Sequence, residues 1–98
     1  MSDEDFFKPP PFKADQALIQ LKRTLRELRP LAERGDGFTL QGQAVIELSV
    51  AGELLTVRLA KRPARAPEWD SKSCANAADV RQVQDEVKRR LARWVDTE

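Results

Sequence analysis

The chain has 98 residues, 41% hydrophobic and 34% charged, and its 17 basic and 16 acidic side chains leave a formal net charge of +1. That is the size of one small domain, and so balanced a charge provides no overall pull toward nucleic acid or an anionic membrane. A single cysteine, Cys74, excludes an internal disulfide, and the absence of histidine and tyrosine removes the usual side chains of acid–base and nucleophilic templates.

A domain of this length buries only about 60 to 65% of its unfolded surface. The expectation is a small core that gains from oligomerisation, in a chain whose cysteine usage fits a reducing cytoplasm. No apolar run approaches the roughly 20 residues of a membrane span, and the acidic start MSDED lacks the order of a secretory signal.

Residues 1–13 read as a flexible tail, because Pro9, Pro10 and Pro11 in succession forbid helix and favour a polyproline II rod. Three of the chain's four phenylalanines, Phe6, Phe7 and Phe12, are concentrated there. Two roles compete for them. They fold back over the domain's own core, with the prolines lowering the entropy cost of docking, or they are anchors presented to another protein. The domain proper spans residues 14–98. Its first helix is signalled by Asp15 as N-cap and by Leu18, Leu21, Leu25 and Leu28 on one face, and Pro30 ends it. Gly35 and Gly37 make the turn out.

The next stretch carries the clearest pattern. Phe38, Leu40, Ala44, Ile46, Leu48 and Val50 all fall on even positions, the alternation of a strand, here read as one long strand bulged at Gly42. Ala51-Gly52 as a two-residue turn pairs Leu48 with Leu55, Ile46 with Val57 and Ala44 with Leu59 on an apolar face. Glu47 then meets Thr56, and Val45 meets Arg58, on a mixed face. A slip of one residue would destroy that sorting.

Residues 62–75, with Pro63 and Pro67, read as an irregular connection in which Trp69 is a lid over the core or a partner contact. A last helix begins near Asn76, with Asp79 as capping-box partner, and carries the stripe Val80, Val83, Val87, Leu91 and Trp94. Its basic C-terminal half suits the negative end of the helix dipole. The expected fold is α+β, helix–hairpin–helix (αββα), with both helices on the apolar face of an antiparallel sheet. Two strands with open edges are marginal, so dimerisation is expected to extend the sheet.

No catalytic or metal constellation stands out, no cofactor is expected, and the chain reads as non-catalytic. Cys74 lacks a base, and an ordinary, partly buried thiol explains it. The functional reading is a small cytoplasmic protein-binding or adaptor module, with Phe6, Phe7, Phe12 and Trp69 as its contacts, in a homodimer. The alternative is a nucleic-acid-binding accessory protein. Its phosphate contacts would be Arg58, Lys61, Arg62 and Arg65 together with Lys88, Arg89 and Arg93, provided that the last helix folds back beside the hairpin.

Overall fold

The computed structural model describes residues 12–96. It shows an α+β fold of two helices and one five-stranded antiparallel sheet, in the order α1 (Ala14–Arg26), β1 (Ala32–Arg34), β2 (Gly37–Leu40), β3 (Gln43–Ala51), β4 (Leu54–Ala60), β5 (Trp69–Cys74) and α2 (Ala77–Asp96). The strands lie in the sheet in chain order. Helix–hairpin–helix is therefore too small a description: three strands join the two that were expected, and the sheet reaches five strands within one chain.

Both helices follow their apolar spacing. In α1 Leu21 and Leu25 are fully buried and Leu18 packs against the core from its margin, as does Leu28 two residues beyond the helix end at Arg26. Asp15 is not the N-cap. That position falls to Lys13, which makes no side-chain cap bond, and Asp15 sits in the first turn, where its Oδ1 accepts the Gln16 N–H at 2.9 Å and its charge suits the positive helix end. At the start of α2 half of the expected box forms: Asn76 Oδ1 accepts the Asp79 N–H at 2.8 Å, while Asp79 Oδ2 accepts the N–H of Ala75, one residue before the cap, at 3.0 Å.

Tight two-residue loops join the first four strands. Gln41 and Gly42 both have positive φ (54° and 84°), the geometry of a type I′ hairpin, so the expected long strand is two strands folded on each other. That turn moves the inward face from even to odd positions. A bulge opposite Phe38 then inserts Val45, moves it back, and leaves Val45 and Ile46 both fully buried. The two phase changes cancel, so the even-numbered pattern runs unbroken through a fold it does not describe. Ala44, the even residue between them, is exposed.

The β3–β4 register also differs. Leu48 pairs with Val57, Ile46 with Leu59 and Glu47 with Arg58, each two residues beyond the expected partner. The loop is Gly52-Glu53, with Gly52 at φ 61°, because glycine belongs at the first central position of a type II′ turn. A two-residue shift preserves the sorting of faces, so Leu55, Val57 and Leu59 are buried as expected.

The irregular connection ends earlier than its composition suggests, since Trp69–Cys74 forms β5 against β4. Helices α1 and α2 both contribute to the single core on the face carrying Ile46, Leu48, Leu55, Val57 and Leu59. No helix among the described residues is long and apolar enough to cross a membrane.

Candidate functional site

With both helices on one side, the other side of the sheet carries no helix among the described residues. Register assigns its side chains. Arg34, Gly37, Glu47, Arg58 and Ser71 form one row across all five strands, and Ser49, Thr56 and Ser73 form the next. The surface is made of hydroxyls, small residues and a few charges. Gly37 has a steric reason to be glycine, because a Cβ there would stand 2.5 Å from the Ile46 carbonyl oxygen on the neighbouring strand. The resulting depression, about 540 Å³, is lined by Arg34, Asp36, Thr39, Glu47, Ser49 and Arg58 among others.

Arg58 is the centre of this face. Its Nη1 donates to Glu47 Oε1 at 2.8 Å, and its guanidinium lies 4.9 Å from the centre of the Trp69 ring. The alternation of β4 and β5 brings these groups to one side, and cation–π attraction holds the arginine over the indole. Trp69 is half-buried. It pairs with Ala60, the one open-face position of β4 that is completely buried, so the lid reading describes its lower surface and leaves its upper surface to Arg58.

The other expected contacts are scattered. Phe12 is partly buried and packs against the domain's own core, while Phe6 and Phe7 lie outside the described residues. Among the basic residues, Arg58 belongs to the open face, whereas Lys88, Arg89 and Arg93 belong to α2 on the opposite side of the sheet. Lys61 stands 3.8 Å from Asp70 and 4.0 Å from Glu68, and Arg89 donates to Glu86 at 2.8 Å. Arg62, Arg65 and Lys88 are exposed. The seven do not form one surface.

Arg90 lies outside the residues that the sequence singles out. In the structure its guanidinium is the rivet between α2 and the sheet: Nε donates to Glu86 at 2.7 Å, Nη2 to Asp70 at 2.8 Å, and Nη1 to the carbonyls of Ala60 and Leu59 at 3.2 and 3.4 Å. The hydrogen bonds from Arg90, then those from Arg89, hold the Glu86 carboxyl down at about 2. The Asp70 carboxyl is likewise lowered, chiefly by its bond from Arg90. A signal for this was present. Arg90 stands three residues after Val87 and four before Trp94, on the apolar stripe, where a charge needs partners.

The corresponding seam of α1 joins Lys22 and Arg26 to Glu33 of β1, with Arg26 Nε 2.7 Å from Glu33 Oε1. The bond from Arg26 is the main cause of a lowered Glu33 carboxyl. Cys74, opposite Leu55 in β5, is fully buried, and desolvation pushes its thiol above the ordinary value of 9.0, away from the thiolate that a nucleophile requires. Among the described residues no group of three or more Cys, Asp or Glu could hold a metal ion.

Compared with family models, with curated proteins and with solved structures, the chain gives no match.

Proposed function

We propose that the chain is a non-catalytic protein-binding module, and that its contact surface is the face of the sheet opposite α1 and α2, centred on Arg58 and Trp69. The observation that carries this reading is the stacked Arg58–Trp69 pair, half-exposed on a sheet face over which no helix lies among the described residues. Tryptophan and arginine are the residue types that most often anchor interfaces, and the hydroxyls around them suit a wet, hydrogen-bonding contact more than an apolar one. The rims are cationic: exposed Arg34 stands on β1, and Arg62 and Arg65 lie in the connection leading to Trp69. The partner that fits is a polar protein segment with carboxylates at its ends.

Nucleic acid is the less well supported occupant. Arg58 already serves Glu47, and its guanidinium occupies the side of Trp69 on which a base would stack. The α2 cations lie on the other side of the sheet.

The test is capture by the immobilised full-length chain, compared with the variants Trp69→Ala, Arg34→Glu and Lys88→Glu. A protein retained by the wild type and Lys88→Glu, but lost with Trp69→Ala and Arg34→Glu, supports the reading. Equal retention by all four overturns it. Loss only on removal of residues 1–11 would move the contact to the tail. Retention on an immobilised polyanion that falls steeply with salt would favour the nucleic-acid alternative.

A further inference from the structure

We propose that β5 is the seam of a twofold dimer in which two copies of this chain join their sheets edge to edge. β5 is the last strand of the sheet and pairs with β4 on one side only among the described strands. The backbone shows which of its groups face outward. The Lys61 N–H donates to the Glu68 carbonyl at 2.9 Å, continuing the β4–β5 register by one pair. Hydrogen-bonded and non-bonded pairs alternate in an antiparallel ladder, so Asp70, Lys72 and Cys74 direct their backbone groups to β4. Trp69, Ser71 and Ser73 direct theirs away from it. The opposite edge, β1, has three residues and offers a shorter template.

The side chains choose the occupant. Lys72 and Asp70 stand on the helix side of this edge, and inward-pointing charges on an edge strand deter pairing with arbitrary strands. A second copy is the exception. Antiparallel pairing about a twofold axis at Ser71 sets Ser71 against the partner's Ser71, Trp69 against the partner's Ser73, and Asp70 against the partner's Lys72, with every outward N–H and C=O satisfied. A shift to the adjacent hydrogen-bonded register brings two Asp70 or two Lys72 side chains together, and the intervening registers face bonded groups with non-bonded ones. Opposite charges directly across a sheet attract and like charges repel. One register therefore satisfies both backbone and charge.

Helix α2 fits the same axis. A groove of about 400 Å³ runs between β5 and α2, and Lys72, Asp79, Glu86 and Arg89 are among its lining residues. Asp79, Asp85 and Glu86 outnumber Arg81 in the first half of α2, and Lys88, Arg89, Arg90 and Arg93 lie in the second. The axis that makes the strands antiparallel also makes the two α2 helices antiparallel, so the acidic half of each faces the basic half of the other.

Sedimentation velocity of the full chain tests the proposal. The wild type is expected to shift from 11.1 kDa to twice that mass as its concentration rises. Ser71→Pro removes an outward-facing N–H, which an isolated β5 tolerates and a paired one does not, so this variant is expected to remain a folded monomer. Lys72→Asp sets acid against acid on both sides of the axis and is expected to lose the dimer as well. In the wild type, hydrogen exchange at the Trp69, Ser71 and Ser73 amides should slow with concentration, while the Asp70 and Lys72 amides are protected throughout. A wild-type mass that stays at 11.1 kDa into the high micromolar range overturns the proposal. So does a folded Ser71→Pro or Lys72→Asp that dimerises as the wild type does, or exchange at the three outward amides that ignores concentration.

Discussion

At the scale of single residues, Arg90 shows how a charge can occupy a helix stripe that is otherwise apolar. Its side chain is only 13% exposed, so its guanidinium has exchanged water for two carboxylates and two backbone carbonyls. Arg90→Met keeps much of the stem, takes this donor from Asp70 and the two carbonyls, and leaves Glu86 with Arg89 alone. The expected loss is about 2 kcal/mol, measured by urea unfolding. Arg90→Lys should restore little, because one ammonium cannot present the planar fork that meets Glu86 and Asp70 together. Gly37 is a second sensitive position for a different reason. Gly37→Ala drives a methyl toward the Ile46 carbonyl, so β2 and β3 must part, at a cost of roughly 1 to 3 kcal/mol. A thermal melt unchanged from the wild type would contradict that reading.

At the scale of elements, the Glu47–Arg58 pair offers a direct reading of the β3–β4 register. A double-mutant cycle on these two exposed side chains should show favourable coupling of roughly 0.2 to 1 kcal/mol, whereas the register that sets Val45 against Arg58 predicts none. Val57→Ala should cost about 1 to 3 kcal/mol and Thr56→Ala well under 1, since Val57 is fully buried and Thr56 faces the open side. The two helices and the sorting of β3 and β4 into faces were legible in the sequence because each buries one regular stripe. Strands β1 and β5 were not. Ala32, Glu33 and Arg34 are all exposed, and between Trp69 and Cys74 β5 is polar on both faces, one side meeting Arg90 and the other having no helix over it among the described residues. An edge strand of this kind lacks the apolar alternation by which strands are recognised. The register escaped for a narrower reason, in that a two-residue shift leaves the sorting intact and only the placement of Gly52 within the turn distinguishes the alternatives. Of the candidate site, Trp69 and Arg58 were each visible as residues, but their stacking depends on β5, so their joint role was not.

For the molecule as a whole, the two ionic seams make stability depend on acidity. Helix α1 is tied to β1 through Glu33, and α2 to β5 through the Arg90–Asp70 bond, with Glu86 holding Arg90 from within α2, while the core beneath contains no buried charged side chain among the described residues. All three carboxyls are lowered in the folded chain, Glu86 from 4.5 to about 2, so the unfolded chain binds more protons than the folded one as pH falls. The Glu86 contribution is complete above about pH 4.5 and disappears as pH falls toward 2, and those of Glu33 and Asp70 are lost in the same direction. At the alkaline end the buried Cys74 thiol is raised above 9.0, so the unfolded chain releases its proton first and stability declines from about pH 9 upward. The expected curve of unfolding free energy against pH is thus a plateau with both shoulders set by helix–sheet contacts and one core thiol. Arg90→Met should flatten the acid shoulder, because Glu86 and Asp70 then titrate closer to their ordinary values, and Cys74→Ala should remove the thiol's share of the alkaline one. NMR titration of Glu86 supplies the independent check: its carboxyl should titrate near 2 in the wild type and rise in Arg90→Met. Stability that is level from pH 4.5 to 2.5, with Glu86 titrating near 4.5, would show that the Glu86–Arg90 bond contributes nothing to the acid shoulder.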